Sequence, residues 1–156
     1  MCSYCGCDSI EVIGRFMNEH VEIINATGDL RRALGAQDAT GVGAACAHLF
    51  GWLFGHTSTE EVGLFTVMKR EAELAPHIDT LCREHGDLDV MLRRIAAGEH
   101  DLFPDFEILL RDHIDKEDNS LFPAAAIWLG GDEWVEVNAL THDHDHASGT
   151  PHQHAH

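Results

Sequence analysis

A histidine and a glutamate four residues apart occur twice in this chain of 156 residues, each time in the same company. The first copy is His56-Thr-Ser-Thr-Glu60-Glu61-Val-Gly-Leu64-Phe65. The second is His113-Ile-Asp-Lys-Glu117-Asp118-Asn-Ser-Leu121-Phe122, so His, Glu, a second acid, Leu and Phe all recur after the same 57 positions. On an α-helix the i, i+4 spacing sets imidazole and carboxylate on one face, which offers a nitrogen and an oxygen to one metal centre. An ordinary surface pair has this spacing too, but surface pairs have no reason to recur together with their Leu-Phe neighbours.

The elements that must position these residues follow from the apolar spacing. From residue 9 or 10 to about 34, Ile10, Ile13, Met17, Ile24 and Thr27 form one stripe of an amphipathic helix, and the position missing from it is His20. Gly35 is a stop signal and Asp38 or Thr40 a new cap. A second helix carries Val42, Cys46, Leu49, Leu53, His56, Glu60, Gly63 and Val67 on its stripe. Pro76 suits the first turn of a third, whose stripe is Ile78, Leu81, His85, Leu88, Leu92 and Ile95, ended by Gly98. The fourth opens around Asp101 to Pro104 and carries Phe106, Leu110, His113, Glu117 and Leu121, with Pro123 bending or closing it. After Gly130-Gly131 a short helix runs from Asp132 to about Leu140. No stretch alternates apolar and polar residues convincingly, so the fold class is all-α. Four long helices on short connections predict an up-down-up-down antiparallel four-helix bundle with a short C-terminal helix. The predicted organisation is a Cys-rich segment (1–8), the bundle (9–140) and a His-rich disordered tail (141–156).

His20, His56, Glu60, His85, His113 and Glu117 all occupy stripe positions near helix centres and should meet at one level of the bundle. Burying unpaired imidazoles and carboxylates costs several kcal/mol each, against a net stability of about 5–15 kcal/mol for a domain. They must satisfy one another or bind metal, and a polar core of this size is easier to replace with Leu than to keep satisfied. Imidazole with carboxylate suits iron, manganese or zinc. Six donors are too many for one tetrahedral zinc, whereas two carboxylates able to bridge, flanked by four nitrogens, suit two metals about 3.5–4 Å apart.

On these residues the chain resembles the hemerythrins, and more closely the bacterial hemerythrin-like HHE cation-binding domains, over roughly residues 10 to 129. The resemblance implies a non-heme di-iron site, two Fe ions with an oxo or hydroxo bridge, held by His20, His56, Glu60, His85, His113 and Glu117, the two glutamates bridging. It implies a protein that binds or reduces a small oxidant (O2, peroxide or nitric oxide). Two departures stand out. Where oxygen-carrying hemerythrins have a second histidine one turn before the third-helix ligand, this chain has Leu81. They also take the fourth-helix carboxylate five residues after its histidine, which here is Asp118. Glu117 is preferred because i+4 lies about 40° from the histidine and i+5 about 140°. The lost nitrogen is expected to leave an extra open position or a water on one iron, which favours reactivity with peroxide, nitric oxide or oxygen over simple reversible oxygen carriage.

Charge narrows the partners. With 27 acidic residues against 10 Lys plus Arg the formal net charge is −17, which disfavours nucleic acid and anionic membranes and attracts cations. No apolar run approaches the ~18–20 residues of a membrane span and no secretory signal is visible, so a cytoplasmic location is expected. Cys46 and Cys82 fall in helical stretches and read as small core residues, while Cys2, Cys5 and Cys7 could bind an additional soft metal, as could the six histidines between residues 142 and 156. His48 and His77 stand eight residues before proposed ligands and are read as supporting the site or the core ends; Trp52 is read as core. The competing classes are an iron or oxygen sensor, which needs no turnover, and a metal store or carrier.

Overall fold

A computed structural model describes residues 10–149, which places Cys2, Cys5, Cys7 and the histidines at 152, 154 and 156 outside the described residues. Among those described there is no strand, and the fold consists of α1 (Glu11–Gly35), α2 (Ala39–Glu60), α3 (Ala75–Ala96), α4 (Phe103–Lys116) and α5 (Gly131–Ser148). Neither α2 nor α4 stops at its last α-helical residue. Each passes into a π-helical turn, Glu61–Phe65 and Glu117–Leu121, then returns to α-helix as Thr66–Met68 and Phe122–Trp128. The two π turns occupy the same part of the repeat to within one residue.

The junctions follow local rules with one exception. Asp38 caps α2, its carboxylate accepting the Gly41 N–H at 3.0 Å. Gly98 ends α3 at a φ of 118°, which a side chain would resist. The α1 helix ends at Gly35 as expected, but the left-handed residue of that connection is Gln37 (φ 53°) rather than the glycine. Pro123 does not close the fourth helix. It sits in the first turn after the π turn, where its missing N–H costs little, and the chain stays helical to Trp128.

The helices pack α1 on α2, α2 on α3, α3 on α4 and α4 on α1, with α5 lying on the π turn that follows α2. The predicted stripes are the buried ones: Val42, Cys46, Leu49 and Leu53; Ile78, Leu81, Leu88, Leu92 and Ile95; Phe106, Leu110 and Leu121. On α1, Ile13, Met17 and Thr27 are buried and Ile24 only partly, with Ile23 carrying the rest. The apolar interior is in two parts. One gathers Ile13, Phe16, Leu64, Phe65, Leu81 and Phe122, the other Ile23, Leu30, Leu49, Leu88 and Phe106. Trp52 packs half-buried against the second part, and Cys46 and Cys82 pack as small apolar groups, the Cys82 thiol pushed up to about 12 by burial and by the Glu61 charge.

Two expectations need correction. The segment from Thr141 was expected to be disordered, yet α5 continues through Ser148 with Val137, Thr141 and Asp145 buried at four-residue intervals. The last of these is ion-paired to Arg15, a contact that an inventory of apolar residues does not register. His48 and His77 are exposed, with no part in the core. Eight residues is 2.2 turns, so each is rotated about 80° from the donor it was aligned with.

Candidate metal centre

Between the two apolar parts lies a polar layer to which all six predicted residues contribute. His20, His56, Glu60 and Glu117 each bring one donor atom within 4.8 Å of the others, and so do Glu60, His85, His113 and Glu117. The two glutamates belong to both groups. All six are buried, Glu60 and Glu117 completely.

The orientation of each imidazole is set by a carboxylate on its outer side. His20 Nδ1 meets Asp118 Oδ1 at 2.8 Å, His56 Nδ1 meets Glu19 Oε1 at 2.9 Å, His85 Nδ1 meets Glu61 Oε2 at 3.3 Å, and His113 Nδ1 meets Glu84 Oε1 at 2.9 Å. An ionised carboxylate only accepts, so Nδ1 carries the hydrogen and a neutral ring leaves Nε2 as a bare lone pair. Those lone pairs converge. His20 Nε2 and His56 Nε2 lie 3.0 Å apart, as do His85 Nε2 and His113 Nε2. Two nitrogens about 2.1 Å from one ion and at right angles about it would be separated by about 3.0 Å.

The carboxylates complete each pair. Glu60 Oε1 is 2.8 Å from His56 Nε2 and 3.6 Å from His85 Nε2; Glu117 Oε1 is 3.0 Å from His20 Nε2 and 3.4 Å from His113 Nε2. Both Glu60 oxygens and Glu117 Oε2 are buried without a hydrogen-bond donor. Buried polar atoms are almost always satisfied, so three orphaned carboxylate oxygens facing bare nitrogens are what a cation-binding layer requires.

Protons would have to take a cation's place in the metal-free site. Burial pushes the Glu60 carboxyl up to about 7, helped by the neighbouring Glu117 charge. Glu117 goes the other way, well below the usual range: burial opposes this but is outweighed by the His113 charge and by hydrogen bonds, that of His113 included. Burial works against charging His85, but the carboxylates of Glu117, Glu61 and Glu60 around it raise it to about 9. Burial likewise opposes charging His56, yet the Glu60 charge and its hydrogen bonds hold it well above its ordinary value.

The repeat now has a physical meaning beyond its His and Glu. Its second acid, Glu61 or Asp118, grips a histidine of the other half, and its phenylalanine stacks on that same ring: Phe65 on His85 at 5.6 Å and Phe122 on His20 at 5.8 Å between centroids. Neither Glu61 nor Asp118 reaches the Nε2 side. Sequence reasoning missed Glu19 and Glu84. A signal was there, since each immediately precedes a predicted histidine (Glu19-His20, Glu84-His85) and the dipeptide recurs on the first and third helices.

Paired imidazoles and two shared carboxylates inside a helical bundle are compatible with the binding of metal cations. The chain matches the hemerythrin HHE cation binding domain over residues 11–125, and it belongs to that family. No curated protein and no solved structure matches it.

Proposed function

We propose that the six residues hold two iron ions bridged by oxide or hydroxide, inside four helices in up-down-up-down order, and that the protein binds or reduces a small oxidant: O2, peroxide or nitric oxide. The observation that carries this reading is the pair of donor groups sharing both Glu60 and Glu117, with their oxygens otherwise unsatisfied. When bound, the iron pair supplies a ferrous–ferric couple able to take up or reduce such a ligand. The chain's own residues do the rest. Glu60 and Glu117 offset the cationic charge, and Asp118, Glu19, Glu61 and Glu84 hold the Nδ1 hydrogens and keep the four rings in one tautomer. Phe65, Phe122 and Phe16 cover the rings with apolar surface. A groove of about 240 Å³ between α1 and α4, lined in part by His20, Asn25, Ile114 and Asp118, touches the outer side of the layer at His20. Leu81, fully buried in the apolar part, leaves no nitrogen where oxygen-carrying hemerythrins have one more histidine.

Protein produced with iron available is expected to carry about two irons per chain and to show oxo-to-ferric charge-transfer bands in the near ultraviolet. One zinc per chain without such bands would overturn the di-iron reading. Catalytic consumption of peroxide or nitric oxide by the loaded protein separates an oxidant-handling role from a sensor or a metal store, which need only bind.

A further inference from the structure

The family match ends at residue 125, yet α5, Gly131–Ser148, reaches the metal layer through a buried chain of charges. Asp145, 2% exposed, accepts two hydrogen bonds from the Arg15 guanidinium, Nη1 to Oδ2 at 2.5 Å and Nη2 to Oδ1 at 3.0 Å. Arg15 Nε donates to Glu19 Oε2 at 3.3 Å, and the other Glu19 oxygen takes the His56 Nδ1 hydrogen at 2.9 Å. The corresponding carboxylate of the other half, Glu84, is instead held by Lys116 at 2.5 Å, whose side chain is 34% exposed and shared with the exposed Asp112. One half of the layer is therefore backed by solvent-screened charges and the other by a dry triad that includes the fifth helix.

A buried ion triad is a poor source of stability, since apolar residues of similar size usually do as well, while removing one member strands the others. In this triad Asp145 satisfies Arg15, so that Glu19 keeps its full charge for His56. The α5 helix is also seated closely: a Cβ on Gly63, in the π turn that follows Glu60, would come 2.4 Å from Thr141 Oγ1, so this approach requires glycine there.

We propose that α5 is a working part of the metal centre: Asp145, acting through Arg15 and Glu19, positions His56 and sets the affinity of the His20–His56 position separately from that of the His85–His113 position. Asp145 and Arg15 are thus positioning residues, and the proposal rests on the two-ion reading above. Outer partners of a metal-bound histidine typically change affinity about 10–100-fold, and Asp145 stands two links further out, so an effect near the lower end is expected.

The test is an anaerobic titration of the metal-free full-length protein with Fe(II) or Co(II) against a chromophoric chelator, which resolves two binding steps in the parent. Asp145→Asn should weaken one step about tenfold and leave the other within about twofold. Glu19→Gln should weaken the same step by about 10–100-fold, and Glu84→Gln the remaining one. Should Asp145→Asn fail to hold α5 in place, as judged by helical circular dichroism and melting, the apolar pair Arg15→Met with Asp145→Leu keeps the packing without the charges and should show the same one-step loss. Both steps falling together would make α5 merely structural, and two unchanged steps in the apolar pair would make the triad irrelevant; either overturns the proposal. A parent that takes up no second ion overturns the two-ion reading and this inference with it.

Discussion

Glu117→Ala is expected to empty both metal positions at once, lowering affinity for each ion by at least about 100-fold, and Glu60→Ala to do the same. Each glutamate belongs to both donor groups, with Glu117 Oε1 within 3.0 Å of His20 Nε2 and 3.4 Å of His113 Nε2, on opposite sides of the layer. A residue serving two ions cannot be lost from only one. Asp118→Ala is expected to behave differently, because Asp118 touches only the outer nitrogen of His20. Removing it should weaken one ion by about 10–100-fold and leave the other in place. Metal content per chain, measured after dialysis against a weak chelator, distinguishes the cases: near zero for either Ala variant at a glutamate, near one for Asp118→Ala. A Glu117→Ala protein that keeps one ion would show that the carboxylate is not shared. An Asp118→Ala protein that keeps none would move the bridging role to the neighbouring acid.

Stripping the metal is expected to leave a protein whose melting temperature falls by at least about 5 °C between pH 6.5 and pH 9, a trend the loaded protein should lack. The sign follows from the groups that hold protons in place of a cation. Glu60 is raised from 4.5 to about 7, so its contribution is present below 4.5 and is lost as the pH rises through about 7. His85 is raised from 6.5 to about 9, so its contribution is complete below 6.5 and is lost as the pH climbs through about 9. His20, His56 and His113 shift in the same direction. Glu19, Glu84 and Glu117 are held below their ordinary value, so they contribute above 4.5 and lose that only as the pH falls. They do not cancel the alkaline trend. Surface repulsion also grows with pH in a chain of net charge −17, but it is common to both forms, which makes the loaded protein the control. In that form metal replaces the protons, and its grip tightens as the pH rises because fewer protons compete. Equal slopes for the two forms would show that these six side chains do not share protons in the metal-free core.

Much of this was legible along the chain because helix periodicity is a local property. Three- and four-residue spacing placed His20, His56, Glu60, His85, His113 and Glu117 on buried stripes, and the repeat after 57 residues marked two of those stripes as a matched pair. Gly35, Pro76 and Gly98 bounded the first and third helices to within a residue or two, since the backbone conformations they allow or forbid do not depend on partners, whereas Pro123 did not end the fourth. The π turns were invisible: the stripes run on for only a position or two beyond Glu60 and Glu117, too short a length for a change of phase to show in the apolar pattern. The acids that grip the imidazoles were legible as acids but not as partners. Glu19, Glu84, Glu61 and Asp118 each lie beside a donor in sequence yet serve a histidine on another helix, so their role depends on how helices are rotated and shifted against one another. Asp145 is the extreme case. It sits 130 residues from Arg15 in a stretch with almost nothing apolar to bury, and only the docking of α5 against the π turn that follows α2 brings the two charges together. Spacing within a helix is determined by covalent geometry and can be read from the chain, whereas contacts between helices depend on packing the whole interior at once.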